Sequence, residues 1–270
     1  MKNAGTIKKY LSLPDRKYDY CIVTDCPELM DTLELLYGGF LGNGAGRDCM
    51  ELRVYRIGRE EYQVFFEGIT DVQNDPIRFV NNTLFENPFF NEDILALHGA
   101  AISGGSAAAL FLGPTGAGKT TLTAYLVSRG FRYITEDCIL INYADELVNP
   151  CPLPLHLRDG GAKVLSGNNI VLNYQYVDYF SLKRYIFTPP NVETGPMPIG
   201  AVYFINRDEN RNRVYPLKTE EAFIRLIKSP ITRYPLRTPY IQALKKIASQ
   251  PCYQLEYTRL SFVEEIVGPC

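Results

Sequence analysis

The chain has 270 residues, of which 46% are apolar and 21% charged, which is ordinary for a globular protein with a sizeable core. A formal net charge of -2 and the lack of a long basic tract exclude the electrostatic footprint of proteins that bind nucleic acid or anionic membranes. Seven irregularly spaced cysteines without a CxxC pair, together with only two histidines, exclude a disulfide framework and a histidine-rich metal site.

The first residues of the chain carry charge but lack the apolar segment of a signal peptide. No apolar run along the sequence approaches the roughly 20 residues that cross a bilayer. We therefore expect a cytoplasmic protein that acts on neither membranes nor nucleic acid.

Residues 1–92 predict a small α+β region. The apolar pattern predicts a strand at 18–24, a helix that ends at Gly38-Gly39, a hairpin of strands 51–57 and 62–66, and a helix that begins at Asp75-Pro76. No motif in this region indicates a chemical function.

Residues 93–270 predict an α/β domain. Short continuous apolar runs at 94–97 and 107–112 are typical of buried central strands. The later pattern predicts strands at 131–135, 139–143, 147–148, 201–205 and 214–217, and helices at 119–128, 220–227 and 240–248. The proline-rich segment 186–200 suits either a mobile lid or a passive connector.

The segment from Gly113 to Thr120 fits the phosphate-loop pattern G-x-x-x-x-G-K-[ST], with an apolar strand before it and a helix after it. Glycines let successive backbone N–H groups turn toward phosphate oxygens, and the helix N-terminus adds its positive dipole end. The pattern predicts that Lys119 reaches the β- and γ-phosphates and that the Thr120 hydroxyl binds Mg²⁺. The predicted nucleotide-binding residues are Gly113, Pro114, Thr115, Gly116, Ala117, Gly118, Lys119, Thr120 and Thr121.

Two acids and a histidine flank this segment. Glu136 and Asp137 end the strand that follows the loop helix, where the carboxyl ends of strands face the ligand crevice of an α/β sheet. One acid could hold Mg²⁺ while the other accepts a proton from an attacking hydroxyl, although a solvated acidic turn is the alternative. His98 lies at the end of another predicted strand, where a histidine flanked by apolar residues is more often a satisfied core residue than a functional one. His156 is a weaker candidate.

These residues together resemble the HPr kinase/phosphorylase family and its wider relatives, which share a nucleotide fold with ATP-dependent phosphoenolpyruvate carboxykinase. Leu97-His98-Gly99-Ala100 is similar to the histidine strand of that family, Gly113–Thr120 to its phosphate loop, and the stretch from Arg129 to Asp137 to its R-G-x-x-x-x-x-D-D segment. The proline-bearing stretch after Val148 is similar as well. The resemblance covers about residues 93–160 and is absent over 1–90.

The resemblance implies an α/β P-loop fold for 93–270 and an enzyme that uses ATP and Mg²⁺. It implies that Glu136 is the general base, that Asp137 is a metal ligand with Thr120, and that Lys119 and His98 lie beside the transferred phosphoryl group. The sequence departs from the family in having Glu rather than Asp at 136, and it lacks the C-terminal segments that bind the carrier protein HPr.

Three functions compete at this point. The first is a kinase that phosphorylates a hydroxyl, by analogy a serine in a ribosomal or lasso peptide, another peptide or protein, or a small molecule. The second is a decarboxylating enzyme similar to phosphoenolpyruvate carboxykinase, and the third is a nucleotide-binding regulator without transfer activity. A cation near the transferred phosphate would assist a kinase, and the candidates are Arg158, Arg233 and Arg237. A homo-oligomer is compatible with the sequence.

Overall fold

The computed structural model describes residues 5–86, 90–208, 210–229, 231 and 238–268. The contacts between Cα atoms divide the chain into two units, Met1–Asn91 with Tyr174–Ile186 and Glu92–Asn173 with Phe187–Cys270. The sequence-based boundary between 92 and 93 lies next to this division. The grouping of 174–186 with the first unit has no counterpart in the sequence analysis.

Up to residue 86 the described chain forms six strands and two α-helices. They are β1 (Ile7–Leu11), β2 (Asp19–Thr24), α1 (Pro27–Tyr37), β3 (Leu41–Gly42), β4 (Cys49–Arg56), β5 (Tyr62–Phe66), β6 (Ile69–Gln73) and α2 (Pro76–Glu86), with a 3₁₀ turn at Gly38–Phe40.

From residue 94 onward the described chain forms twelve strands and five α-helices. They are β7 (Ile94–Leu97), β8 (Gly99–Ser103), β9 (Ala108–Leu112), α3 (Lys119–Ser128), β10 (Arg132–Thr135), β11 (Ile139–Asn142), β12 (Leu147–Asn149), β13 (Leu155–Leu157), α4 (Asp159–Gly167), β14 (Tyr174–Tyr179), β15 (Leu182–Phe187), β16 (Met197–Arg207), β17 (Arg213–Pro216), α5 (Thr219–Ile227), α6 (Thr238–Ala248), β18 (Cys252–Tyr257) and α7 (Leu260–Val267). Within the described ranges, no helix is long and apolar enough to cross a bilayer.

The first unit contains a six-stranded sheet in the order β3-β1-β2-β4-β5-β6. β2 and β4 pair in parallel and the other neighbours pair antiparallel. β2 is buried along its whole length, whereas β4 alternates between buried and exposed residues until its last two positions. These two burial patterns are the reason that both strands could be predicted from the sequence.

A buried carboxylate, Asp19, stabilises this unit. Its side chain accepts hydrogen bonds from the Ser12 hydroxyl at 2.7 Å and the Gly46 N–H at 2.8 Å, and the Arg47 guanidinium lies 2.7 Å away. Burial alone would raise the pKa of Asp19, but these hydrogen bonds and the positive charge of Arg47 outweigh burial and lower it. Asp19 therefore carries its negative charge inside the unit.

The second unit is built on a mixed sheet in the order β10-β8-β9-β16-β12-β11-β7, with β18 paired to β16 and β17 paired to β18. β9 lies in the interior of this sheet, between β8 and β16, and is buried at all five positions, as the continuous apolar run predicts. It pairs antiparallel with β8 and parallel with β16, with Leu112 opposite both Gly99 and Phe204. Gly99 is required here because a Cβ would lie 2.6 Å from a methyl group of Leu112.

Helix α3 connects the loop after β9 to strand β10, and a Schellman motif ends it. Gly130 has φ of 103°, its N–H donates to the Val127 oxygen at 3.1 Å, and the Phe131 N–H donates to the Leu126 oxygen at 3.2 Å. The left-handed glycine turns the chain from the helix into β10, at whose end Glu136 and Asp137 follow.

The proline-rich segment before β16 is a connector. The Tyr133 N–H donates to the Asn191 oxygen at 2.8 Å and the Glu193 N–H donates to the Tyr133 oxygen at 2.7 Å. The buried Glu193 side chain accepts from the Ser103 hydroxyl and pairs with Arg132. These bonds fix the segment along β10, which favours the connector over the lid of the two sequence-based alternatives. The predicted loop also ends early, because β16 begins at Met197.

Candidate active site

The carboxyl ends of four strands of the second unit meet at one edge of its sheet. β9, β16 and β18 run parallel, and β10 runs with β9 because both are antiparallel to β8. The start of β8 therefore lies at this edge too, with Gly99 opposite Leu112 at the end of β9. Ligands of open α/β sheets bind outside the carboxyl ends of the strands, so this edge is where a site is expected.

The loop between β9 and α3 has a backbone shape that favours glycine. Gly116 and Gly118 have φ of 88° and 90°, in the left-handed region. A Cβ on Gly113 would lie 2.7 Å from the backbone oxygen of Ile205, and one on Gly118 would lie 2.6 Å from the Tyr257 hydroxyl. The glycines of the sequence motif are therefore required by the backbone conformation and by the close approach of β16 and β18.

The outer part of the loop is accessible, and α3 begins beneath it. Pro114, Thr115 and Gly116 are exposed, while the Ala117 N–H donates to the Pro114 oxygen at 3.1 Å and closes the loop. The N-cap of α3 is Gly118, and no side chain caps the helix. An uncapped helix N-terminus offers N–H groups and a positive dipole end to an anion.

The Lys119 side chain is folded into the loop and is only 6% exposed. Its ammonium group donates to the Gly113 oxygen at 2.9 Å and to the Pro114 oxygen at 3.2 Å. Burial lowers the pKa of Lys119, and the nearby carboxylates of Asp137 and Glu136 oppose that effect. An ammonium group has three N–H donors, so these two hydrogen bonds leave one donor for a phosphate oxygen.

Glu136 is buried beside the start of α3, with 6% of its surface exposed. The Thr120 hydroxyl donates to its Oε1 atom, and the His156 backbone N–H also donates to its carboxylate. Burial, together with the negative charge of Asp137, raises the pKa of Glu136 well above its usual range. These two hydrogen bonds and the charge of Lys119 do not fully compensate the cost of burying the Glu136 carboxylate.

Asp137 differs from its neighbour in both backbone and exposure. Its φ of 62° is left-handed, and its side chain is exposed. The His98 side-chain Nδ1 atom lies 3.2 Å from the Asp137 backbone oxygen. The His98 backbone N–H donates to the Ser229 backbone oxygen at 2.7 Å. The turn thus brings His98 and both acids to the same end of the sheet.

On the other side of the loop, Tyr257 supports the loop backbone. Its hydroxyl donates to the Ala117 oxygen at 3.0 Å. Burial raises the pKa of Tyr257 to about 12, so the hydroxyl keeps its proton and remains a donor. Thr121 packs against α4, where a Cβ on Gly161 would lie 2.6 Å from the Thr121 hydroxyl oxygen.

The structure brings together five residues for which the sequence predicted roles: His98, Lys119, Thr120, Glu136 and Asp137. Of the other candidates, His156 contacts the site through its backbone N–H, which donates to Glu136, and Arg158 is the exposed N-cap residue of α4. Arg233 and Arg237 lie outside the described residues.

Three residues that the sequence analysis missed also lie at this edge, namely Arg207 at the end of β16, Tyr257 at the end of β18 and Arg259 just before α7. The mixed apolar and polar sequence from Cys252 to Tyr257 could have predicted strand β18 and so the position of Tyr257 at its end.

The donor atoms at this edge fit Mg²⁺ better than a softer metal. The Thr120 hydroxyl and the Glu136 and Asp137 carboxylates would supply oxygen ligands, and Mg²⁺ is usually held by one or two carboxylates together with substrate phosphates. In the part of the chain that the structure describes, no group of three or more His, Cys, Asp or Glu side chains is assembled for a metal ion.

Comparison with known proteins gives a distant structural similarity. No protein-family model matches the sequence, and no curated protein is significantly similar to it. Among solved structures, the HPr(Ser) kinase/phosphatase from Coxiella burnetii is 11% identical over 56% of this chain and 87% of its own, with a TM-score of 0.26. A likeness at this TM-score establishes neither the fold nor the activity of this chain.

Proposed function

We propose that the second unit is an ATP- and Mg²⁺-dependent kinase that transfers the γ-phosphoryl group to a hydroxyl of a peptide or protein. The observation that carries this proposal is the contact between Thr120 and the buried Glu136 carboxylate beside Lys119, at the start of the helix that follows the glycine loop. A lysine, a hydroxyl and a carboxylate in this arrangement are the groups that phosphoryl transfer requires around its nucleotide.

The loop is suited to a triphosphate for three reasons. Its glycines expose backbone N–H groups, α3 starts beneath it without a side-chain cap, and Lys119 supplies a positive charge from inside it. Each feature favours negative charge at the same place.

The contacts favour a division of labour between the two acids. Glu136 accepts a hydrogen bond from the hydroxyl that is expected to bind Mg²⁺, which supports a role for Glu136 on the metal side. Asp137 is exposed, so an acceptor hydroxyl can reach it, and it suits the general base. This is the reverse of the roles that the family resemblance implies. Bound Mg²⁺ would neutralise charge on the phosphates, and the protein residues align the acceptor and take its proton.

The exposed side of the site supports a kinase over a passive nucleotide-binding regulator. His98 and Asp137 meet through the Asp137 backbone oxygen next to an accessible carboxylate, and a protein that only binds nucleotide does not need that carboxylate. We propose serine as the acceptor residue and a ribosomal peptide precursor as one acceptor class. A small-molecule hydroxyl is the second candidate, because the accessible Asp137 imposes no size limit.

The test is a single-turnover assay with γ-labelled ATP, Mg²⁺ and a panel of serine-containing peptides, proteins and small alcohols. The wild-type protein should transfer label, and Lys119→Ala should lose nucleotide binding. Binding of ATP without transfer to any acceptor would favour the regulator, and absence of binding would remove the loop as a nucleotide site.

Magnesium titration of two variants tests the division of labour. Glu136→Gln should raise the Mg²⁺ concentration needed for half-maximal transfer, whereas Asp137→Asn should lower the maximal rate at saturating Mg²⁺. The opposite pattern would restore Glu136 as the base.

A further inference from the structure

The six-stranded sheet of the first unit ends in an exposed strand. β6 lies at the edge of the sheet and four of its five residues are exposed, whereas its neighbour β5 alternates between buried and half-buried residues. Ile69 and Val72 of β6 are 64% and 50% exposed, although both are large and apolar. Contiguous exposed apolar surface of this kind is typical of interaction sites.

A groove follows this strand. Its first cavity, of about 720 Å³, lies between the β5–β6 hairpin and helix α2, with Phe66 and Ile69 from the hairpin and Phe79 from the helix in its lining. A second cavity, of about 530 Å³, adjoins the first because Asn74, the residue after β6, lines both. The five residues of β6 span about 17 Å at the usual rise of a strand. The groove therefore suits an extended chain better than a compact ligand.

The second cavity has aromatic walls that contact one another. Tyr62 at the start of β5 is buried, and its ring centroid lies 5.4 Å from that of Phe180, with the ring planes at 82°. The Phe180 ring also meets Tyr179 edge to face at 4.7 Å. The Arg56 guanidinium lies 5.5 Å from the centroid of the Tyr62 ring and 3.4 Å from the Glu28 carboxylate. These contacts preorganise this end of the groove before any ligand binds.

The charges that the groove leaves unmatched are mainly positive. Its charged lining residues are three arginines and three acids, namely Arg56, Arg59, Arg78, Glu28, Glu60 and Asp75. Arg56 pairs with Glu28, and Asp75 accepts the Arg78 backbone N–H at 3.0 Å at the start of α2. Among the ion pairs of the described residues, none includes the exposed side chains of Arg59 and Arg78. Since Glu60 can offset only one of these two guanidinium groups, the groove favours an anionic group on its ligand.

The edge of β6 is partly closed to an added strand. The Val72 N–H donates to the Asp71 side chain at 2.8 Å, and the Gln73 side-chain nitrogen donates to the same carboxylate at 2.6 Å. A strand added at this edge would have to displace the Asp71 carboxylate from the Val72 N–H. The contacts therefore favour a ligand that binds through its side chains in the groove.

We propose that this groove binds an extended segment of the acceptor peptide or protein in which apolar residues alternate with acidic ones. The apolar side chains of the segment pack on Phe66, Ile69 and Phe79. Its carboxylates pair with Arg59 and Arg78. The proposal rests on the proposed function, since it names the segment by which a peptide acceptor is recognised in one unit while the other unit phosphorylates its hydroxyl. A docking segment of this kind raises the local concentration of the acceptor hydroxyl without taking part in the transfer.

The test uses fluorescein-labelled synthetic hexapeptides in which leucine alternates with glutamate, with lysine or with serine. Their dissociation constants are measured by fluorescence anisotropy on the full chain at low salt, without nucleotide. The wild type should bind the glutamate peptide about tenfold more tightly than the lysine peptide, the effect of two modest ion pairs. Arg78→Glu should reverse that preference. Arg53→Glu is the matched control, because it makes the same charge change at an exposed arginine of β4 that lines neither cavity.

Equal binding of the three peptides, or an unchanged preference in Arg78→Glu, would overturn the docking segment. A preference that Arg53→Glu also reverses would attribute it to net charge rather than to the groove. If sedimentation shows a dimer that Ile69→Glu dissociates, a second copy of the chain occupies the groove and the proposal is wrong. Circular dichroism checks that the variants fold, and Arg78→Gln, which should abolish the preference, replaces Arg78→Glu if that variant does not.

A kinase assay separates this proposal from the proposed function. A serine-containing peptide is offered with ATP and Mg²⁺, with and without the leucine–glutamate segment attached. The segment should lower KM about tenfold and leave kcat unchanged, and Arg78→Glu should remove that advantage. Transfer with the same KM for both peptides would retain the kinase and refute the docking segment. Groove-dependent binding without transfer would retain the docking segment and count against the peptide kinase.

Discussion

Asp19 in the first unit and Glu136 in the second unit are both buried carboxylates, and their environments are opposite. Asp19 in the first unit is fully buried and is matched by a hydroxyl, two backbone N–H groups and an arginine, so its pKa is lowered. Glu136 in the second unit is nearly as buried, but its described partners are a hydroxyl and a backbone N–H, and its pKa is raised.

The difference supports a structural role for Asp19 and agrees with the proposed role of Glu136 in the site. Burying a carboxylate costs free energy that paired charges and hydrogen bonds can offset, and Asp19 has both. Glu136 lacks a matching cation at hydrogen-bonding distance among the described contacts, and perturbed groups of this kind cluster at functional sites. The buried Glu136 carboxyl group is therefore incompletely compensated at the place where Mg²⁺ and the nucleotide are proposed to bind.

The largest effect should come from Glu136→Gln. Phosphoryl transfer at a fixed Mg²⁺ concentration should fall by about 100-fold or more, because a group that acts on metal or proton is lost. The midpoint of thermal unfolding should stay constant or rise, since an undercompensated buried charge is removed. Glu264→Gln, on the helix α7 of the same unit, is the matched control for turnover. A large loss of stability in Glu136→Gln would show that both buried acids are structural.

The converse substitution is Asp19→Asn. It should lower the free energy of unfolding of the first unit by roughly 2–3 kcal/mol, because the charge of Arg47 loses its buried partner and charged hydrogen bonds become neutral. Turnover per folded molecule should not change. Chemical unfolding followed by circular dichroism gives the first quantity, and Asp31→Asn on the exposed face of α1 is the control. Lost turnover in folded protein would contradict the structural role.

The pH dependence of stability sharpens the same contrast. The folded-state pKa of Asp19 is lowered, so its contribution is complete above the unfolded value of about 3.9 and is lost as pH falls through the folded value. The stability difference between wild type and Asp19→Asn should therefore shrink in acid and remain constant near neutrality. A stability difference that grows in acid would contradict a lowered pKa for Asp19.

The smallest effect is expected for Tyr257→Phe. It removes the hydroxyl that donates to the Ala117 oxygen and leaves that oxygen without this donor, which should cost about 1 kcal/mol. The dissociation constant for ATP should rise by about threefold to tenfold, with transfer from bound ATP preserved. Tyr253→Phe on the same strand serves as the control. An unchanged ATP affinity would mean that Tyr257 does not support the loop.

The elements that could be predicted from the sequence are those with a clear local residue pattern. The glycine loop, the buried run of β9 and the alternating strand β4 follow from local residue types, and so do the acids at the end of β10. The roles of those residues stay predictions, because no bound nucleotide or metal tests them.

The missed elements have patterns that depend on distant partners. β8 has small residues at four of its five positions and is buried because β9 and β10 flank it. β6 is almost wholly exposed, so it has no buried apolar face. Arg207 and Arg259 are ordinary surface residues in the sequence. They become candidates only when β16 and β18 carry them to the edge at which the loop ends.

The shape of the glycine loop is set from outside its own motif. Gly113 abuts Ile205, and Gly118 abuts Tyr257, so the strands that complete the loop are synthesised long after it. A nascent chain that has emerged only as far as α3 contains every residue of the motif but neither of the strands, β16 and β18, that contact its glycines. If the loop binds nucleotide as proposed, binding would begin only after β18 has paired with β16, when the second unit has folded.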